Sequence, residues 1–238
     1  MSRRAWMISG AAIIAIAVVV VLIVVSVSGG GDSNTSASSS GSVQGKAEVV
    51  ALVKGIPQTG FTLGKASAPV TVTEFLDPQC PVCQKASTDA VPALVKGPVR
   101  AGEAKLTIKP LHFIGSDSST AAVAIAAAAQ QDKAFTYTDI IYRNQGTENT
   151  GWVTTDLLTN IAGAVPGVDV AKWSADFNNG NPDQNGPTAS AVFEATDAAT
   201  AAGVNSTPTF VVKGPGGTKT LVGAIPGAEL LAAVKSVS

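Results

Sequence analysis

Residues 74–83 read Glu74-Phe75-Leu76-Asp77-Pro78-Gln79-Cys80-Pro81-Val82-Cys83 and contain both cysteines of the 238-residue chain. The run Val70-Thr71-Val72-Thr73-Glu74-Phe75 is rich in β-branched and aromatic side chains and follows the turn-prone segment Gly64–Pro69, so it predicts a strand. Cys83, Ala86, Ala90, Val91 and Leu94 then recur at three-to-four spacing, which predicts a helix, with Pro92 expected to kink or shorten it near its end. Cys80 therefore falls where a strand hands over to a helix. Pro81 suits the first helical position, where no amide donor is needed. A thiolate at Cys80 would face unpaired backbone N–H groups and the positive end of the helix dipole, both of which lower a cysteine pKa. Cys83, one turn further in, is placed as a less exposed resolving thiol.

Outward from this stretch the pattern alternates between strand and helix. Leu106 to Leu111 predicts a second strand. From Ser116 to about Asn178 the spacing turns helical: Ser118 and Ser119 are expected to cap an alanine-rich helix ending near Gln131, and shorter helices fit Tyr137 to Arg143, Thr155 to Ala162 and Val170 to Phe177. A further alanine-rich helix fits Thr188 to Ala202. Pro208 to Lys213, the turn Gly214-Pro215-Gly216-Gly217 and Thr218 to Val222 form a hairpin signal, and Ala228 to Val237 closes the chain as a helix. Strand, helix, strand, helical block, hairpin and helix make an α/β domain.

Lys+Arg 16 against Asp+Glu 17, with 45% apolar and 14% charged residues, excludes a disordered polyelectrolyte and a strongly basic nucleic-acid binder. Mean hydropathy is +0.29, raised by one end of the chain. Trp6 to Val27 is apolar apart from Ser9, Gly10 and Ser26, and as a helix it spans about 33 Å, enough for a bilayer core of roughly 30 Å. Arg3 and Arg4 precede it and no basic residue follows until Lys46, so residues 1–5 are expected in the cytoplasm and residues 6–27 form a transmembrane signal anchor. The working domain is then extracytoplasmic. The competing reading is a cleaved signal peptide with Ser26-Val27-Ser28 as the small-x-small site, giving a secreted protein. Against it, the run from Ala11 to Val25 follows an already apolar Trp6-Met7-Ile8 and is long for a signal core. Residues 28–45, almost all Gly, Ser, Thr and small polar side chains, read as a flexible linker. Residues 46–238 carry 14 basic and 16 acidic side chains, nearly balanced, so no single-sign field recruits nucleic acid.

In an exported domain, Cys80 and Cys83 admit three readings. A bridge closing four residues restricts the unfolded chain by only about 2 kcal/mol in the loop-entropy model, which makes a purely structural staple a weak account. A zinc site needs four ligands, and the chain offers this pair and His112 alone. A redox-active dithiol fits best, and it requires no metal or organic cofactor.

The stretch Glu74–Cys83, the segment Tyr142-Arg143-Asn144-Gln145 with Trp152 beyond it, and Val204-Asn205-Ser206-Thr207-Pro208-Thr209-Phe210 together resemble the DsbA-like thiol-disulfide oxidoreductases of bacterial envelopes. The similarity runs from about Ile56 to Val237. It implies a thioredoxin-like α/β fold with an inserted helical domain, about residues 115–200, inside the domain 46–238. It further implies Cys80 as the nucleophile or the sulfur attacked and Cys83 as the resolving partner. Pro81 and Val82 would border the substrate, and Thr207-Pro208 matches the loop whose proline is cis and whose backbone can pair with an extended substrate strand. Without the resemblance, a trans proline at the start of a strand is the plain alternative. Glu74 matches the family's buried acid, placed to exchange protons with Cys83. Its alternatives are a carboxylate paired with a nearby lysine or exposed on the other strand face.

The strongest oxidants of this family carry a histidine where this chain has Val82, which implies a less stabilised thiolate and leaves the direction of electron flow open. The leading expectation is an enzyme that introduces disulfides into exported proteins with cysteine thiols and is reoxidised by an integral membrane quinone-linked thiol oxidase. A disulfide reductase or isomerase on the same fold, and a non-catalytic binding protein with a structural disulfide, are the alternatives. His112, Trp152 and Trp173 read as packing or groove-lining residues, and Gly214–Gly217 as a turn rather than a phosphate loop.

Overall fold

β3 (Val70–Leu76) and β4 (Ala104–Pro110) lie parallel at the centre of a six-stranded sheet. The computed structural model describes residues 42–180 and 187–238. β1 (Gln58–Thr59) and β2 (Thr62–Leu63) form a short antiparallel pair outside β4, while β5 (Thr209–Gly214) and β6 (Gly217–Val222) form the hairpin outside β3. The sheet order is β1-β2-β4-β3-β5-β6. The β1–β2 pair and the first helix, α1 (Lys46–Val53), carry no periodicity long enough to be read from sequence.

Period-two alternation sets the two faces. Val70, Val72 and Leu76 of β3 join Leu106 and Ile108 of β4 in the main core, whereas Phe75 points the other way and meets Leu111, Ala195 and Ala199. Glu74 shares its parity with Val72 and Leu76, so it stands on the main-core face and is buried.

The crossover from β3 to β4 departs from the single kinked helix expected. α2 (Pro81–Thr88) ends before Asp89 (φ −128°, ψ −76°), α3 (Ala90–Leu94) restarts, and a π-helical turn covers Val95–Val99. The break precedes Pro92 because its ring conflicts with the carbonyl four residues back and it has no N–H to donate to it.

Among the described residues, five helices stand between β4 and β5: α4 (Ser116–Ala129), α5 (Ala134–Arg143), α6 (Thr155–Ala164), α7 (Val170–Asn178) and α8 (Pro187–Ala201). They form the helical insert. α4 is buried on nearly all sides because its alanines let neighbouring helices approach closely. The expected cap at Ser118 and Ser119 is corrected: Gly115 occupies the cap position without a side-chain bond, and the Ser118 hydroxyl donates instead to Asp77 Oδ1 at 2.6 Å. A buried carboxylate is the stronger acceptor, and it draws the hydroxyl out of the helix start. α9 (Gly227–Val237) ends the chain against β5, β6 and α3.

At the other end, Gln44 and Asn144 exchange two hydrogen bonds, N–H to Oδ1 at 2.9 Å and Nδ2–H to O at 3.1 Å, which hold the approach to α1 against the end of α5. No helix among the described residues is long and apolar enough to cross a membrane; the expected anchor at 6–27 lies outside them, as do residues 28–41 of the expected linker.

Candidate active site

Cys80 is the N-cap residue of α2, and Pro81 takes the first helical position. Its sulfur accepts the Cys83 amide at 3.4 Å and lies 3.4 Å from the Thr207 carbonyl oxygen, to which the thiol donates. A hydrogen bond from Cys83 lowers the Cys80 pKa most. Burial opposes it, the Thr207 side chain and the amides of Cys83 and Val82 assist, and the outcome is a thiol at about 6. The Cys83 thiol first, with the amides behind it, thus lowers the pKa without a histidine at Val82. Cys83 has no exposed surface, and burial first, then the neighbouring Cys80, raise its thiol well above the ordinary value. Both thiols are free, one ionised at neutral pH and one protonated.

Glu74 lies on the β3 face beneath this pair. It is 2% exposed, and burial followed by the charge of Asp139 raises its pKa to about 8. Among the described residues no salt bridge reaches it, so the lysine-paired and surface alternatives do not hold.

The loop between β3 and α2 is held from within and from the insert. Asp77, fully buried, accepts the Gln79 amide at 2.8 Å, the Ser118 hydroxyl at 2.6 Å and the Ile114 amide at 3.1 Å. From α5 and the turn after it, Tyr142 donates its hydroxyl to Asp77 O at 3.1 Å, and Gln145 Nε2 donates to Pro78 O at 2.8 Å and Cys80 O at 3.2 Å. Gln84 returns a bond to Tyr142 O at 2.8 Å. Replacing Asp77 with alanine strands three donors, two of them buried, and is expected to cost ~2–4 kcal/mol in urea unfolding; a loss below ~1 kcal/mol would contradict this role.

On the outer side Pro81 and Val82 are exposed, Val82 at 41%. Thr207 is half-buried, Pro208 is buried and the bond joining them is cis. The structure therefore brings Cys80, Cys83, Pro81, Val82 and Thr207-Pro208 to one edge, with Glu74 below. Two further side chains were not singled out from sequence. Asp77 sits inside the cysteine motif without a signal of its own, and Asp139 on α5 has none beyond being one acid in an amphipathic helix. His112 is half-buried with Nε2 3.4 Å from the Thr196 hydroxyl, and Trp173 is fully buried in the insert. Among the described residues no group of three or more His, Cys, Asp or Glu is placed to hold a metal ion.

Residues 57–220 match the family model described as Thioredoxin. The chain belongs to the thioredoxin family. Within this thioredoxin family it is similar to the probable disulfide bond formation protein D of Bacillus cereus, with 36% identity over 124 residues covering 51% of this chain and 57% of that protein. The chain thus spans little more than half the length of that curated relative. The crystal structure of oxidised BdbD from Bacillus subtilis superposes with a TM-score of 0.64 at 24% identity, covering 76% of this chain and 95% of that one. That of Chlamydia trachomatis DsbA gives 0.58 at 22% identity, covering 74% and 89%. These superpositions place the thioredoxin core and its helical insert in one DsbA-like fold.

Proposed function

We propose that this chain is an extracytoplasmic thiol-disulfide oxidoreductase that introduces disulfides into exported proteins, with Cys80 as the sulfur attacked and Cys83 as its resolving partner. The observation that carries this reading is the contrast between the two sulfurs. A substrate thiolate attacks Cys80 Sγ of the bridged pair, the Cys80–Cys83 bond breaks, and Cys83 leaves with the electron pair and takes up a proton. The second substrate thiolate then attacks the substrate sulfur of the mixed disulfide, and Cys80 leaves as a thiolate. Two substrate thiols are oxidised, one enzyme disulfide is reduced, and one of the two protons released stays on Cys83. A leaving group near 6 makes the last step favourable, and a stabilised thiolate favours the reduced enzyme, which is the property of an oxidant.

Pro81, Val82 and the Thr207-Pro208 backbone are proposed to border the substrate segment next to its cysteine, and Glu74 to exchange the proton with Cys83. The name of the B. cereus relative supports the direction of transfer. Anchoring through residues 6–27 and reoxidation by an integral membrane quinone-linked thiol oxidase complete the proposal; both rest on the sequence reading and the family resemblance.

Equilibration of the purified protein with a glutathione series tests it. A potential of about −200 mV or higher is expected, between the values of thioredoxin and DsbA; one near about −270 mV would make the chain a reductase. In parallel, ultraviolet absorbance of the thiolate should titrate with a midpoint near 6, leaving about nine-tenths of Cys80 ionised at pH 7. A midpoint near that of free cysteine, about 8.5, removes the basis of the proposal.

A further inference from the structure

α5 carries a second carboxylate into the core beneath the dithiol. Asp139 is 3% exposed, and neither of its oxygens has a hydrogen-bond partner. Arg143 Nη2, one turn along the helix, stands 3.7 Å from Oδ2, beyond hydrogen-bond reach, and 3.4 Å from Oε1 of Glu48 on α1. Glu74 and Asp139 line the same cavity, of about 10 Å³, close to the room one water molecule requires. Ser87, Thr138 and Tyr142 supply its other polar lining. A buried carboxylate facing a second one is costly to keep in a core, and the ion pair with Arg143 leaves both Asp139 oxygens without a hydrogen bond from the protein.

We infer that Asp139 is a positioning residue for the proton Cys83 exchanges: it forms with Glu74, across this cavity, a carboxyl pair that holds one proton between the buried sulfur and the surface. The inference rests on the redox reading above. From the sulfur outward stand Cys83 on α2, Glu74 on β3, the cavity with the Tyr142 phenol of α5 in its wall, Asp139 and Arg143 on α5, and the exposed Glu48 on α1; burial first, then Cys83 and Glu74, push the Tyr142 phenol well above its ordinary value, so it stays neutral.

When Cys83 leaves Cys80 as a thiolate, the protonated Glu74 gives it a proton and becomes a carboxylate. Two like charges then face each other, and one solvent proton, entering on the Asp139 side, restores the single shared proton. One proton enters for the one transferred, and no electrons move in this step. The titration order fits. Glu74 is raised to about 8, by burial and then by Asp139, whereas Asp139 stops at about 6 because Arg143 opposes its burial and the added repulsion of Glu48. Between these values Glu74 holds the proton and Asp139 the charge. Asp139 therefore keeps Glu74 protonated at neutral pH by repelling its charge.

The test is the pH profile of single-turnover reduction of the bridged full-length protein by dithiothreitol, in wild type, Asp139→Asn, Glu74→Gln and the double variant. With the rate divided by the dithiothreitol thiolate concentration at each pH, wild type should lose rate as Glu74 ionises near 8. Asp139→Asn should move that midpoint down by about one pH unit, Glu74→Gln should abolish the limb, and the double variant should behave as Glu74→Gln alone. An unmoved midpoint in Asp139→Asn, with the limb still abolished by Glu74→Gln, overturns the inference. Absence of Cys80-dependent exchange in wild type at any pH instead overturns the redox reading on which it rests. If Asp139→Asn loosens the fold, infrared difference spectra of wild type decide the matter. A protonated carboxyl at neutral pH that loses its proton transiently on reduction supports the pair, and its absence excludes it.

Discussion

Replacing Cys80 with serine is expected to lower the rate of disulfide exchange by at least ~10³-fold. With a pKa of about 6, Cys80 is largely ionised at pH 7, and its sulfur lies at the edge where Pro81 and Val82 are exposed. Cys83 cannot replace it. Burial holds that thiol well above its ordinary pKa, so it stays protonated at pH 7, and it has no exposed surface for a substrate sulfur to approach. Serine in its place offers an oxygen that forms no persistent bond to sulfur and has no electron pair to release at neutral pH. The converse variant, Cys83→Ser, should keep a Cys80 thiolate that attacks the disulfide of an oxidised client and expels one client sulfur as a thiolate, but it lacks the thiol that resolves the product, so that a mixed disulfide between Cys80 and the client persists. Acid quenching, alkylation and non-reducing electrophoresis read both results. Exchange in Cys80→Ser within tenfold of wild type would move the chain to the class of binding proteins with an inert cysteine pair.

The largest effect on stability is expected far from the sulfurs. Trp173 on α7 is fully buried, stacks on Phe177 with ring centroids 5.0 Å apart and planes 8° from parallel, and meets Tyr137 at 5.7 Å. Its indole N–H donates to Ala124 O at 3.1 Å on α4. One side chain therefore joins α4, α5 and α7, and α4 itself offers mostly small alanine side chains to fill the space if the ring is removed. Trp173→Ala should cost ~3–5 kcal/mol, read as a lower urea midpoint. The Cys80 titration midpoint should stay near 6 in the same variant, because the groups that lower it come from the start of α2 and the Thr207 loop. A shift of that midpoint toward the free-thiol value would show that the insert core, and not only the α5 contacts at Asp77, Pro78 and Cys80, sets the chemistry of the sulfur.

Much of this site is local, and local features are legible. The strand before Cys80, the helix after it, Pro81 at the first helical position and the lower exposure of Cys83 all follow from residue spacing within a dozen positions, and the structure has each of them. Pro92 signals that the helix is interrupted, and the break lies at Asp89 because the conflict of a proline falls one turn before its ring. Ser118 was read as a cap because sequence shows which side chains can bond to a helix start, not which competing acceptor the fold brings near.

By itself the sequence determined the α/β order of elements, the dithiol at a helix start and the near-neutral charge of the domain, since each depends on periodicity or composition along the chain. Only the tertiary structure decided that Glu74 is buried without a cation, that Asp139 from a helix 65 residues later shares its cavity, and that Thr207 on the approach to β5 reaches the Cys80 sulfur. The reason is physical. The pKa of a carboxyl or thiol is set by the solvent and charge around it, and that surrounding exists only once distant segments have closed over it.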